Sequence, residues 1–199
     1  MNRLRLVLAS RSPRRKALLE TIGIQPLVVP STFDEARFDT NGLSPEDLAI
    51  ALARGKTASV AKEYPEDVVL GADTLVVLGE TVLGKPHTPE EASEMLEQLS
   101  GKTHQVYTGI ALCEPRTGKV FTDLDCSLVT MRKLEPHEIQ WYVSTGEPMG
   151  KAGGYGIQGK AALFVTAIKG DYTGVIGLPL SRFYEILKRA GLVITNFFV

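Results

Sequence analysis

Apolar and polar positions along the chain change their period repeatedly, which predicts alternating helices and strands. Apolar runs with strand character are separated by helix-start signals in which Ser or Thr precedes Pro. The predicted strands cover residues 4–9, 27–29, 68–83, 105–113, 120–131, 163–168 and 172–176. The predicted helices cover residues 12–21, 44–63, 88–99, 136–143 and 180–190. This order predicts an α/β fold with both parallel and antiparallel strands in its sheet.

Turn residues predict how these strands pair. Residues 115–118 predict a long hairpin between the two strands that flank them, and residues 169–171 predict a second, shorter hairpin. Residues 68–83 form two apolar strand runs, with a break expected at Asp73 and a turn at residues 79–80 that reverses the chain. No repeat, low-complexity tract or linker divides the sequence, so residues 1–199 predict a single domain.

Composition indicates a sizeable core and no dominant charge. The chain of 199 residues is 44% hydrophobic with a formal net charge of −1, which argues against a general nucleic-acid or membrane-surface binder. No apolar run approaches the length of a membrane span, and residues 1–3 lead into a strand rather than a signal peptide. Cys113 and Cys126 lie in strand-like segments without metal-ligand spacing, which favours core residues in a reducing compartment. We therefore expect a soluble, cytoplasmic protein.

A cluster of cations and hydroxyls lies where the first strand becomes the first helix. Its members are Ser10, Arg11, Ser12, Arg14, Arg15 and Lys16. A helix N-terminus attracts anions through its unpaired N–H groups and its dipole, whereas cations at that end oppose the dipole. A solvated basic surface is the alternative, because most charge runs are of that kind. Phosphate binding accounts better for cations gathered at a helix start.

Two charged residues interrupt apolar patterns. Asp73 lies within an apolar run, where an unpaired carboxylate is costly; the alternative is a turn residue that caps local N–H groups. Lys56 falls on the same helix face as Leu52 and Val60, and the alternative is that it snorkels to the surface. Together they predict either that each is the other's partner or that both face a polar cleft that holds a metal and phosphates.

Other candidates are weaker on pattern alone. Glu35 and Lys85 lie in polar loops, and no Ser or Cys pairs with a His in a manner that suggests a nucleophilic triad. Residues 153–161 match the spacings GxGxxG and GxxxxGK, but both motifs require a preceding strand and a following helix. Here a helix and a turn precede and a strand follows, so both interpretations are rejected. We expect a loop whose backbone closely approaches another group, with Gln158 as its most specific polar side chain.

Five segments resemble, in order along the chain, the motifs of the Maf (septum-formation) family of nucleoside triphosphate pyrophosphatases. They are residues 8–15, 71–74, 83–86, 151–159 and 175–179. The resemblance implies hydrolysis between the α and β phosphates to the monophosphate and pyrophosphate, with a divalent metal cation, Mg²⁺ or Mn²⁺. It also implies a homodimer and an elongated mixed sheet flanked by helices, with two lobes around a cleft, as in inosine triphosphate pyrophosphatases.

The resemblance further implies roles for individual residues. Asp73 matches the catalytic carboxylate, Glu35 the loop acid, and Lys56 and Lys85 two motif lysines. Asp73 and Glu35 would hold the metal, and Asp73 would also orient or deprotonate the attacking water. Arg15 and the two lysines would neutralise charge on the phosphoryl oxygens.

Ser10 and the N–H groups of the first helix would cradle the triphosphate. Gly150 departs from the family pattern, in which Asp is usual at that position.

Three residues match the branch of the family that resembles dTTP/UTP pyrophosphatases: Arg14, Thr74 and Gln158. The branch that acts on methylated guanine nucleotides carries Trp, Gln and Glu there. A Gln amide donates and accepts, which suits O4 and N3–H of thymine or uracil.

The implied substrates are dTTP, UTP and modified pyrimidine nucleotides. The implied roles are to keep unwanted nucleotides out of nucleic acid and to contribute to cell-division arrest. A nucleotide-binding regulator of septum formation and a P-loop kinase are the alternatives. Asp73 favours the enzyme, because a sensor has no need of a carboxylate in an apolar run.

Overall fold

The computed structural model describes residues 4–198, which form a seven-stranded mixed sheet with helices packed on both faces. The strands are β1 (Leu6–Leu8), β2 (Leu27–Val28), β3 (Val68–Leu78), β4 (Thr81–Leu83), β5 (Thr103–Cys113), β6 (Val120–Met131) and β7 (Val165–Lys169). The helices are α1 (Pro13–Thr21), α2 (Pro45–Ala61), α3 (Pro89–Leu99), α4 (Pro136–Ser144), α5 (Tyr172–Ile176) and α6 (Leu180–Arg189). The predicted α/β class is confirmed. Residues 1–3, on which the expectation of no signal peptide depends, lie outside the described residues.

The sheet has a gap along one edge of its central strand. Its order is β2–β1–β3–β5–β6–β7, with β4 paired to β3; β1 is parallel to β2 and β3, and the other pairs are antiparallel. On one edge of β3, β5 pairs with residues 69–77. On the other edge, β1 pairs with residues 68–70 and β4 with residues 76–78. Within the described residues, positions 71–75 therefore have no strand beside them on that edge.

Alternate side chains of β3 face opposite sides of the sheet and pack different elements. Val69 and Val77 join small apolar clusters beneath α2. Leu70 joins a larger cluster with α1 and α6 on the other face, and Val76 joins a second one with α3 and α4. Thr74 lies between these two cores. This polar residue therefore separates the apolar side chains on this face of the sheet into two groups, one for each lobe.

Helix α2 lies unusually close to the sheet because two glycines leave room for it. A Cβ on Gly71 would lie 2.4 Å from Thr57 Oγ1, and a Cβ on Gly109 would lie 2.4 Å from the α2 backbone. The predicted break at Asp73 is wrong, since β3 continues through it from Val68 to Leu78. The close approach instead brings the side chain of Lys56, on α2, to the middle of β3.

The turn predicted at residues 79–80 is confirmed, because β4 pairs antiparallel with β3. One of the two further predicted hairpins is correct. β5 and β6 pair along their whole length, from Thr103 opposite Thr130 to Cys113 opposite Val120. The second is wrong: Tyr172–Ile176 is helix α5, because Asp171 caps it by accepting from the backbone N–H groups of residues 173 and 174. β7 pairs with β6 instead.

The cysteines and helices bear on two further expectations. Cys113 is buried, as predicted, whereas Cys126 is exposed, so the prediction that it is a core residue is wrong.

Among the helices described, none combines the length and apolar character needed to cross a bilayer.

Candidate active site

A cleft of about 560 Å³ opens at the gap in β3. Its walls come from the junction of β1 with α1, the loop after β2, the segment after β4 and the glycine-rich segment before β7. The nine residues predicted from the sequence all line it: Ser10, Arg14, Arg15, Glu35, Lys56, Asp73, Thr74, Lys85 and Gln158. Residues distant in sequence are therefore brought to one place by the short β1 and β4, which leave the centre of β3 open.

The ammonium group of Lys56 joins two carboxylates at the floor of the cleft. Its Nζ donates to Asp73 Oδ1 and lies 3.0 Å from Glu35 Oε1. The side chains of Lys56 and Asp73 are only 9% and 7% exposed, whereas that of Glu35 is 43% exposed. The prediction that each residue is the other's partner is confirmed, and both also line the cleft. Asp73 is not a turn residue, and Lys56 does not snorkel.

Surrounding cations keep Glu35 ionised. Burial alone would raise the pKa of its carboxyl, but Lys56, Lys85 and Arg15 outweigh burial and hold that pKa below its ordinary value. Lys56 thus contacts both carboxylates: that of Asp73, which lies in the sheet, and that of Glu35, which lies in a loop.

Packing on α2 fixes the loop that carries Glu35. The ring of Phe33 lies where a Cβ on Gly55 would be, 2.5 Å from the nearest ring atom, so only glycine admits the ring there. Ser31 Oγ and Ser59 Oγ share a hydrogen bond of 2.8 Å. The loop is therefore attached to the same helix as Lys56, which keeps Glu35 beside it.

Three hydrogen bonds hold the guanidinium of Arg15 in the cleft. Its Nε donates to the carbonyl of Gly177 at 2.8 Å, its Nη1 to Ser10 Oγ at 3.1 Å and its Nη2 to Thr74 Oγ1 at 3.3 Å. Burial lowers the pKa of the guanidinium, and the charge of Asp73 opposes that shift. A guanidinium has five N–H groups and stays protonated, so some N–H groups of Arg15 remain for an anion.

The hydroxyl of Ser10 keeps its proton available. Its oxygen accepts from Arg15 Nη1 and from the backbone N–H of Ser12, each at 3.1 Å. These bonds use both lone pairs of the oxygen, so the O–H group is free to donate. Ser12 itself precedes α1, as predicted, but its side chain makes no capping hydrogen bond.

The hydroxyl of Thr74, by contrast, is fully engaged as a donor. Thr108 Oγ1 donates to the carbonyl of Gly174 at 2.8 Å. In the 2.9 Å bond between the two threonines, Thr74 must therefore be the donor, and it accepts from Arg15. In this arrangement Thr74 positions Arg15 and has no proton left for a ligand.

Two lining residues face the space that remains. Arg14 is half-buried, and burial lowers the pKa of its guanidinium. Gln158 is exposed, and its amide makes no hydrogen bond with any other described residue. Both side chains are free to contact a ligand.

Sequence reasoning missed Lys151 and Tyr155 as lining residues. Both residues lie among the glycines of residues 151–159, and this position was the only sequence feature that marked them. Because the backbone turns repeatedly there, the sequence does not show which side chains point into the cleft. Gly150 also lines the cleft, at a φ of 70° and with nothing within 4 Å of an added Cβ. The departure from Asp at that position therefore opens no packing defect, and it leaves that wall of the cleft without a carboxylate.

The carboxylates present fit a divalent metal that is shared with a phosphate ligand. Asp73 and Glu35 each use one oxygen on Lys56, and within the described chain the other oxygen of each has no hydrogen-bond partner. The described residues contain no group of three or more His, Cys, Asp and Glu that could hold a metal alone. Mg²⁺ typically takes one or two carboxylates and completes its shell with phosphate oxygens and waters. Two free carboxylate oxygens in a cationic cleft match that requirement.

Comparison with known proteins gives a consistent result. A family model described as Maf-like protein matches residues 5–190. A dTTP/UTP pyrophosphatase of Pelotomaculum thermopropionicum is 45% identical, over 94% of this chain and 96% of that protein. One of a Geobacillus species is 48% identical, over 94% and 98%, and one of Bacillus cereus is 44% identical, over 98% and 94%. Among solved structures, that of the Staphylococcus aureus Ham1 protein aligns with a TM-score of 0.43 and 16% identity, over 64% of this chain and 71% of that one.

Proposed function

The chain belongs to the Maf family, and we propose that it hydrolyses dTTP and UTP between the α and β phosphates, releasing the monophosphate and pyrophosphate. The observation that carries this proposal is the buried Asp73–Lys56 pair at the floor of a cationic cleft. A protein that only bound nucleotides would need the cations, but it would not need a carboxylate in the centre of a sheet. The dTTP/UTP pyrophosphatases named above support the choice of pyrimidine substrates.

The cations of the cleft supply the electrostatic part of the reaction. Preorganised positive groups that meet developing charge commonly give the largest single contribution in phosphoryl transfer. Arg15 is held in place by three hydrogen bonds, and Ser10 keeps a free O–H beside it. Lys85, in the segment after β4, also lines the cleft and is near enough to lower the pKa of Glu35. These groups would bind the phosphates and stabilise charge on their oxygens.

Asp73 is suited to orient the attacking water. Lys56 holds one of its oxygens, so the other projects from a fixed position and can accept a proton or a hydrogen bond. Asp73 and Glu35 would together hold Mg²⁺ or Mn²⁺, which when bound supplies positive charge to phosphoryl oxygens and acidifies water. Lys56 would keep the two carboxylates together before the substrate arrives.

Gln158 provides a basis for the choice of base. Its unpaired amide can donate to O4 and accept from N3–H of uracil or thymine, whereas a purine presents a different edge. Arg14, which also lines the cleft, would contact a phosphate or a carbonyl oxygen.

A panel of nucleoside triphosphates tests this function. UTP, dTTP, CTP, ATP and GTP would be incubated with the protein and Mg²⁺ or Mn²⁺, with chelator as the control, and pyrophosphate and orthophosphate would be measured separately. We expect metal-dependent release of pyrophosphate, fastest from UTP and dTTP. Orthophosphate as the first product would remove the assignment, and binding without turnover would favour the nucleotide-binding regulator.

Several expectations from the sequence stay predictions. They are the homodimer, the cytoplasmic location, the single-domain organisation, and the roles in nucleotide clearance and cell-division arrest.

A further inference from the structure

The position of Gln158 depends on its backbone. The side chain is exposed, and within the described chain its amide contacts no hydrogen-bonding partner. Two glycines of this segment, Gly153 and Gly154, have φ angles of 67° and 68°, a region that favours glycine. A loop so rich in glycine needs contacts from elsewhere if it is to present one amide in one place.

Two hydrogen bonds supply such contacts, one on each side of Gln158. Two residues before it, the N–H of Gly156 donates to the hydroxyl of Tyr142 at 3.2 Å. Two residues after it, the N–H of Lys160 donates to Glu147 Oε2 at 3.1 Å. The Tyr142 hydroxyl in turn donates to Glu147 Oε1 at 3.1 Å. A single carboxylate therefore connects the backbone on both sides of the amide.

The connection is tight and partly buried. Tyr142 is fully buried, and the side chain of Glu147 is only 16% exposed. A Cβ on Gly159 would lie 2.2 Å from Glu147 Oε1, so the loop backbone rests directly on the carboxylate. Burial would raise the pKa of Glu147, but its hydrogen bonds, led by that from the Lys160 N–H, hold the pKa below its ordinary value. The carboxylate is thus ionised at neutral pH, so both of its oxygens can accept hydrogen bonds.

We infer that Glu147 is a positioning residue for base selection: with Tyr142 it fixes the loop on both sides of Gln158, so that the amide meets the pyrimidine edge at a set depth in the cleft. This inference rests on the proposed function, because it assigns a role in choosing among nucleotides. Glu147 does not line the cleft, so it would act through the loop rather than by touching the substrate.

The test is Glu147→Gln, which keeps the size of the side chain but removes the charge and turns one acceptor into a donor. We expect kcat/KM for UTP to fall about tenfold, the usual effect of one lost hydrogen bond, mainly through a higher KM. For GTP we expect a change of about twofold or less, because the phosphate-binding residues lie on other elements. The selectivity for UTP over GTP should therefore fall by nearly the same factor as kcat/KM for UTP.

Two further variants separate positioning from folding. Glu97→Gln is the control, because Glu97 is exposed on α3 and makes no hydrogen bond or ion pair with any other described residue; it should leave the selectivity unchanged. Tyr142→Phe keeps the buried ring and removes the hydroxyl, and it should lower the selectivity in the same direction as Glu147→Gln.

The outcomes separate this inference from the proposed function. Equal losses on UTP and GTP, or an unchanged ratio in both Glu147→Gln and Tyr142→Phe, would overturn the inference alone. A wild-type protein that releases no pyrophosphate from UTP or dTTP would overturn the proposed function first, and this inference with it.

Discussion

Lys56 holds two carboxylates whose surroundings differ sharply. Asp73 is fixed within β3 and almost fully buried, whereas Glu35 lies on a loop with nearly half of its side chain exposed. A ligand that draws Glu35 away would leave the buried pair intact, because that pair does not depend on the loop. We therefore expect Asp73 to be the fixed member of the site and the half-exposed side chain of Glu35 the adjustable one, while the loop that carries Glu35 stays packed on α2.

At the same scale, the substitution Gln158→Glu tests whether Gln158 recognises the base of the nucleotide. The substitution replaces the donor that would face O4 of uracil or thymine with an acceptor, which should cost about 1–3 kcal/mol, as for a buried polar group left unpaired. We expect that loss in kcat/KM for UTP and dTTP, with a relative gain for guanine nucleotides. The Gln158 amide makes no hydrogen bond with another described residue through which it could brace the loop. A loss of the same size on every nucleotide would nevertheless argue against base recognition by this residue.

Individual residues were predictable where they broke a pattern. Asp73 and Lys56 stood out because charge interrupted apolar runs, and the structure pairs them. Glu147 and Tyr142 gave no such signal, since an acid in a turn and an aromatic residue on a helix are ordinary. Their role depends on contacts with the N–H groups of residues 156 and 160, which no local pattern records.

At the scale of elements, α2 organises the floor of the cleft. It carries Lys56, it approaches β3 over Gly71, and it supports the Glu35 loop through the contact of Phe33 with Gly55. Helix and loop therefore move together, and a side chain added at Gly55 would separate them.

Gly55→Ala tests this coupling. Alanine favours the helix by about 1 kcal/mol, but its Cβ would displace Phe33 and with it Glu35. We expect kcat/KM for UTP to fall by roughly tenfold to a hundredfold, with little change in the unfolding temperature.

The control for that experiment is the same change made in a Phe33→Ala background. With the ring absent, Gly55→Ala should have little further effect on activity, because it has nothing left to displace. Equal losses in both backgrounds would show that the contact does not position Glu35.

Helices and strands were predicted correctly where a local sequence signal determines them. They were predicted wrongly where contacts with distant residues or a capping side chain determine the secondary structure. Pro at the first turn marked the starts of α2, α3 and α4. Asp73 resembled a break because Asp is common in turns, and the local pattern around it does not show that Lys56 stabilises it in mid-strand. Residues 172–176 have strand-like composition, and the cap from Asp171 makes them a helix instead.

At the scale of the whole molecule, the gap in the sheet separates two apolar cores and opens the cleft between them. The short pairings of β1 and β4 with β3 create that gap. The turn that returns β4 to β3 is local and was predicted, whereas the register of β1 on β3 is a long-range property that the sequence pattern did not specify. The family resemblance implied two lobes and a cleft, whereas hydrophobic periodicity alone indicated only a mixed sheet.

A buried histidine in one of those cores links stability to pH. His104 is 2% exposed, its Nε2 bonds Tyr155 at 2.8 Å, and its Nδ1 has no partner among the described residues. Burial lowers the pKa of His104 from 6.5 to about 4. The native state therefore keeps the ring neutral in a range where the unfolded chain takes up a proton, so stability is lost as the pH falls from about 6.5 towards 4.

Urea unfolding of wild type and His104→Gln at pH 7.5 and pH 5 measures this effect. We expect the wild type to lose on the order of 2 kcal/mol more than the variant between the two conditions. His87→Gln, which changes an exposed histidine, should behave as the wild type does. The same loss in His104→Gln would mean that other groups set the acid sensitivity.

The central claim is that Asp73, in the gap of the sheet, is the carboxylate on which turnover depends. The most direct measurement is the kcat of Asp73→Asn with saturating UTP and Mg²⁺, together with UTP binding and the unfolding temperature. We expect kcat to fall by about a hundredfold or more while UTP still binds. Some stability, roughly 1–3 kcal/mol, should also be lost, because Lys56 is left with Glu35 alone. A folded Asp73→Asn protein that turns over UTP at nearly the wild-type rate would contradict the account.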